Sequence, residues 1–203
     1  MKEKLTKMRG VFRLVYIIGA FLFAGLFALA AIGRGAAAGQ FMPVLGGIII
    51  MSVGALAVAS VPILMLLNKE DIAKIIFSVL AGYWVISTGR GYIEYCQMAV
   101  EGATGLQVTV GIFGFLTGLT MLAMVAFLVL YLALGKKEIY LRIGFFLLLG
   151  TVVIAFITGI LYLVLLGQVK ADWSNFVAGI NDSFIAPILV ATGFVYFYIT
   201  ASK

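Results

Sequence analysis

Six apolar runs, separated by short polar segments, occupy this chain from about Val11 to Thr200. The hydrocarbon core of a bilayer is about 30 Å thick, so a spanning helix needs roughly 20 apolar residues. In that solvent every backbone N–H and C=O must find its partner inside the segment, which favours helices. The runs therefore read as helices at about 11–32, 41–67, 72–97, 108–134, 139–166 and 184–200. They use up most of the 203 residues, so the chain reads as one polytopic transmembrane domain, 1–203: an all-α integral membrane protein built as a six-transmembrane-helix bundle. A composition 64% hydrophobic and only 11% charged is that of a chain whose main solvent is lipid.

The runs differ in character. The first follows the basic residues Lys2, Lys4, Lys7, Arg9 and Arg13, and small residues at Ala28-Leu29-Ala30 and Ala36-Ala37-Ala38 resemble signal-peptide cleavage sites. Its apolar stretch is longer than the usual h-region, so a retained helix is expected. The second contains Pro62, which kinks a helix unless neighbours satisfy the freed carbonyl. The third loses its apolar character after Ile86 and reaches full length only by including Ser87, Thr88 and Arg90. The fourth carries Gly111, Gly114 and Gly118, small residues that let helices approach closely in lipid. The fifth leads into a loop with Lys170, Asp172, Trp173, Asn175 and Asp182. The sixth is short and aromatic (Phe194, Tyr196, Phe197, Tyr198), as suits a headgroup-level belt.

Charge sets the expected orientation. With both ends in the cytoplasm, the inner segments hold Lys2, Lys4, Lys7, Arg9, Arg13, Lys69, Lys74, Lys136, Lys137, Arg142 and Lys203. The outer ones hold only Arg34, Arg90 and Lys170. Lys and Arg stay on the cytoplasmic side, where they also attract anionic lipid, so this bias predicts a multi-pass, N-in/C-in protein of the cell membrane. The net charge of +6 does not point to nucleic acid, because the basic residues sit at the ends of apolar runs and not on a solvated face.

Lys69-Glu70-Asp71-Ile72-Ala73-Lys74 resembles Lys137-Glu138-Ile139-Tyr140-Leu141-Arg142, each followed by a phenylalanine (Phe77, Phe145) and a glycine (Gly82, Gly150). Lys2-Glu3-Lys4-Leu5-Thr6-Lys7 lies about one such spacing upstream. Three helical hairpins in parallel would give this pattern. So would any set of cytoplasmic helix entrances, where basic residues precede apolar ones.

The third helix holds the candidate site. Tyr83, Ser87, Arg90, Glu94 and Gln97 recur at steps of four and three, so a continuous helix aligns them on one face, with Glu101 continuing the line. Charges at membrane depth are costly and seek partners or water. Arg90 and Glu94 are spaced to pair. A ligand-binding reading makes this face an outward-opening solute site, with Tyr83, Trp84, Ser87, Arg90, Glu94 and Gln97 lining it and Tyr92, Tyr95 and Trp173 as further walls. A structural reading has Arg90 snorkelling to the outer headgroups and Glu94 in water.

Weaker signals accompany it. Gly33-Arg34-Gly35 and Gly89-Arg90-Gly91 repeat a tripeptide that exposes backbone N–H groups if it lies in a loop. Ala20, Ala24 and Ala28 form a ridge suited to docking a helix, whether of this chain or of a membrane-protein partner. Thr117, Thr120, Thr151 and Thr158 bond to their own helix carbonyls in the usual case. Asn181-Asp182-Ser183 matches a glycosylation sequon.

Enzyme readings have little to stand on. There is no histidine, which removes most haem, zinc and copper sites and histidine acid–base chemistry, and the single Cys96 makes no internal disulfide. His-Glu-x-x-His, Gly-x-Ser-x-Gly and Walker-type sequences are absent, and Glu94 with Glu101 or Asp182 is the one acid–base candidate. No metal or cofactor is expected. The reading is a non-enzymatic, small permease-type protein or solute-binding membrane subunit of a transporter. The alternative is a structural or accessory subunit docking on a larger membrane complex. In helix count, N-in/C-in topology, size and the alanine ridge, the chain is similar to the substrate-binding subunits of vitamin-uptake transporters of the energy-coupling-factor class. That likeness is one of architecture and implies a solute-binding role.

Overall fold

The computed structural model describes residues 2–37, 41–98, 104–134 and 138–200, which are helical almost throughout, with no strand among them. A short α1 (Lys2–Lys7) precedes α2 (Arg9–Ala37), α3 (Phe41–Leu66), α4 (Glu70–Met98), α5 (Gly105–Ala133) and α6 (Glu138–Gln168). The C-terminal helix combines α7 (Trp173–Ile180) and α8 (Ala186–Phe194) with π-helical turns at Asn181–Ile185 and Val195–Ile199. Among the described residues, four helices are long and apolar enough to cross a membrane: Arg9–Gly33, Gly105–Tyr131, Glu138–Gln168 and Trp173–Ile199. Within α3 the stretch Ser52–Leu66 is a shorter apolar helix. Large apolar side chains such as Leu14, Ile18, Leu56, Leu122 and Phe146 are exposed. Such a surface is a liability in water and ordinary against lipid tails.

The helix ends follow from local chemistry. Asn68 adopts a left-handed conformation (φ 57°), and the N–H groups of Asn68 and Lys69 reach back to the carbonyls of Met65 and Leu64 at 3.2 and 2.8 Å. This is a Schellman-type stop, and asparagine tolerates the left-handed region better than most residues. Lys170 (φ 51°) and Ala171 end α6 in the same way, on Gly167 and Leu166. α5 starts at Gly105, earlier than expected, because Thr104 and Gln107 form a capping box: the Thr104 N–H donates to Gln107 Oε1 at 2.8 Å and the Gln107 N–H to Thr104 Oγ1 at 3.4 Å. α3 continues through the buried Pro62.

The C-terminal helix departs most from expectation. It begins at Trp173, not near Phe184, so the polar segment expected to be a loop is helical from Trp173 onward. Two of its polar residues are spent on packing: Ser174 and Asn181 are buried, and Gly33 of α2 leaves room for Trp173 and Ser174. Asn181 is fully buried within a helix, so the sequon is not presented as an acceptor site. Both glycine-flanked arginines also lie inside helices, α2 and α4, where the backbone N–H groups serve the helix and not an anion.

The chain divides into two compact units, one of Lys2–Gly82 with Leu166–Lys203, the other of Tyr83–Leu165. The first is built around Tyr16 and Ala20 of α2, Val61 and Met65 of α3, Ala73 and Phe77 of α4, and Leu189, Tyr196 and Phe197 of the C-terminal helix. Tyr16 meets Phe77 and Phe197 edge-on, at 5.7 and 6.0 Å between ring centres. Gly193 makes this possible, since a Cβ there would lie 2.7 Å from ring carbons of both Phe77 and Tyr16. In the second unit Thr117 of α5 and Thr158 of α6, both buried, approach to 3.2 Å between hydroxyls. Each hydroxyl also donates to a carbonyl one turn back, Phe113 and Ile154, the arrangement expected of threonines in apolar helices.

Candidate functional site

α4 is one unbroken helix of 29 residues, Glu70–Met98. At about 100° per residue, Tyr83, Ser87, Arg90, Glu94 and Gln97 fall on one side of it, and Trp84 stands about a quarter turn away. Tyr83 is 72% exposed, Ser87 is exposed and Trp84 is half-buried. The side chains of Arg90, Tyr92, Glu94, Tyr95 and Gln97 lie outside the described part of the structure, and Glu101 lies outside the described residues altogether. Followed toward Glu70, the same face carries Ile86, Val79, Ile75 and Ile72, all exposed, Ile86 to 74%. The described part of the stripe is thus an exposed face, apolar at Ile72, Ile75, Val79 and Ile86 and polar at Tyr83 and Ser87.

A second constellation, which the sequence reading did not single out, lies in the first unit at the Glu70 end of α4. Arg9 Nη2 donates to Glu70 Oε2 at 2.7 Å, the Tyr196 hydroxyl donates to Glu70 Oε1, and the Arg9 guanidinium lies 5.0 Å from the centre of the Tyr196 ring. One turn along α2, Arg13 Nη2 donates to the Met65 carbonyl at 2.7 Å, adding a cationic cap to the C-terminus of α3. Lys74 Nζ stands 4.6 Å from the Tyr198 ring centre, and the Tyr198 hydroxyl shares a hydrogen bond with Ser78. The cluster therefore ties α2, α3, α4 and the C-terminal helix together through polar contacts. The signal that finds it is the pair Arg9 and Arg13, one turn apart at the mouth of an apolar helix, together with the first carboxylate of α4.

Deeper in the same unit, Asn181 Nδ2 donates to the Phe23 carbonyl at 3.2 Å, and Asn181 Oδ1 is buried without a partner in the structure. Of the alanine ridge, Ala20 is fully buried in the unit's own core, while Ala24 and Ala28 are half-buried. Internal packing thus uses the Ala20 end of that ridge. No group of three or more His, Cys, Asp or Glu side chains gathers among the described residues. Comparison with protein-family models, with curated proteins and with solved structures yields no match for this chain.

Proposed function

We propose that this chain is a non-enzymatic membrane protein that crosses the bilayer six times with both ends in the cytoplasm, and that it acts as a small permease-type protein or solute-binding subunit through the outer half of α4. The observation that supports this is the continuity of α4. At 1.5 Å per residue its 29 residues span about 43 Å, about 13 Å more than the hydrocarbon core. With Glu70 and Asp71 at the inner boundary, Arg90, Glu94 and Gln97 reach the outer headgroup level, where water and a polar solute have access.

The test is Arg90→Ala with Arg90→Lys, read by ligand-dependent thermal shift against a metabolite library. A ligand at 100 times its Kd stabilises the fold by about 2.7 kcal/mol, so a hit on the wild type is readily seen. Both variants fold with an unchanged Tm and lose the ligand shift, because lysine does not reproduce planar, two-pronged recognition of an anion. Full ligand response in both variants ends the solute-site reading. A different failure, an unfolded Arg90→Ala, identifies Arg90 as the buried partner of Glu94.

One observation favours a second reading, an accessory subunit docked on a larger membrane complex: the exposed face Ile72, Ile75, Val79, Tyr83 and Ile86 leads straight into the polar stripe. Stable co-purification of the same membrane subunits, abolished by Tyr83→Ala with no ligand shift found in the wild type, supports it over the first.

A further inference from the structure

The cluster at the Glu70 end of α4 carries more positive charge than it neutralises. The Arg9 guanidinium lies over the Tyr196 ring and Lys74 over the neighbouring Tyr198, while among the described residues Glu70 is the one carboxylate in contact with any of these cations. Arg13 has a backbone carbonyl, not a carboxylate, as its partner among the described residues. The Nε atoms of Arg9 and Arg13 are buried without an acceptor. The guanidinium groups are only partly withdrawn from the surroundings, the Arg9 side chain being 32% exposed. A half-buried excess of cationic charge is unfavourable unless an anion completes it.

Depth decides which anion. Arg9 begins a membrane-length helix and Glu70 begins α4, so the cluster lies where apolar helix meets headgroup. Tyr196 and Tyr198 present aromatic faces to the cations, the amphipathic composition found at that level. Basic pockets between helices at the cytoplasmic boundary suit phosphate-bearing headgroups, which arginine meets with two parallel hydrogen bonds. We propose that Arg9, Arg13 and Lys74, at the junction of α2, α4 and the C-terminal helix, form a binding site for the phosphate of an anionic phospholipid headgroup. The site rests on the reading that these helices lie in a bilayer, and it is independent of the stripe beyond Tyr83.

The test uses the full-length protein, purified and delipidated in detergent, and compares phosphatidylglycerol with phosphatidylcholine of the same acyl chains by native mass spectrometry and thermal shift. Wild type is expected to prefer phosphatidylglycerol at least fivefold. Arg13→Gln is expected to cut that preference at least threefold, while Arg142→Gln, which removes a cation paired with Glu138 on α6, leaves it within twofold. If Arg13→Gln does not fold, Lys74→Gln carries the same expectation. Unchanged preference in the cluster variants, or equal loss in Arg142→Gln, overturns the site. Displacement of the lipid by millimolar inorganic phosphate assigns the cluster to a soluble anion and overturns the lipid. A failure of membrane embedding shows up separately, as aberrant topology in cells.

Discussion

Glu70 and Glu138 stand 68 positions apart in near-identical surroundings, each following a lysine at the start of a long apolar helix, yet the fold uses them differently. Glu138 pairs with Arg142, one turn along its own helix, at 3.2 Å, with both side chains more than half exposed. Glu70 reaches out of its helix to Arg9 and Tyr196, residues 61 and 126 positions away. The glycines of the two segments diverge as well: a Cβ at Gly82 or Gly150 meets nothing within 4 Å, whereas the glycine that matters for Phe77 is Gly193, on another helix. Local charge pattern thus fixes where a helix begins. What it touches is set by polar groups and close-packing positions elsewhere in the chain, because among lipid tails apolar side chains give little preference for one neighbour over another.

Replacing the two glutamates tests this contrast, with the largest effect expected at Glu70. Glu70→Ala strands Arg9 and removes the acceptor of the Tyr196 hydroxyl. With Glu70 itself 38% exposed, solvent screening reduces the cost of a broken buried pair to about 2–3 kcal/mol. Glu138→Ala removes an exposed pair with Arg142 on its own helix and is expected to change stability far less. Reversible unfolding in mixed micelles measures both, and equal losses break the comparison. Next in size is Gly193→Ala, which pushes a methyl into the Tyr16 and Phe77 rings and is expected to cost about 1–3 kcal/mol. Gly150→Ala, facing open space in α6, is expected to be neutral or slightly stabilising in the same assay. A tolerated Gly193→Ala would mean that the aromatic core relaxes more easily than its packing implies.

How much was legible in the sequence depends on whether the signal was local. The apolar runs and the breaks at Asn68 and Lys170 follow from hydropathy and turn chemistry, and the unbroken α4 is what the spacing of Tyr83, Ser87, Arg90, Glu94 and Gln97 required. The early start of α5 is encoded in the Thr104-x-x-Gln107 capping box, three residues before the apolar onset at Val108. Lys170, Asp172, Asn175 and Asp182 look like loop residues, so the sequence alone starts the C-terminal helix too late. Polarity misleads here, since Ser174 and Asn181 face the inside of the first unit, with Asn181 bonded to the Phe23 carbonyl 158 positions away. Of the Arg9, Glu70 and Tyr196 cluster, only the arginines at the mouth of α2 and the first carboxylate of α4 leave a local signal; that Tyr196, 126 positions from Glu70, joins them has no pattern in one dimension. Of the site on α4, sequence periodicity gave the alignment, and the exposure of Tyr83 and Ile86 shows which way the described part of that face looks.

Asp71, at the start of α4, is the position that tests most directly the proposal that α3 and α4 cross the bilayer along with the four helices whose length and composition suffice on their own. A single cysteine at Asp71 in a Cys96→Ser background is expected to resist an impermeant thiol reagent in intact cells and to react once the membrane is permeabilised, while one at Ala171 reacts in intact cells. Labelling of Asp71→Cys in intact cells, alongside Ala171→Cys, would place the loop after α6 and the α3–α4 turn on the same side, leaving a four-span protein and contradicting the account.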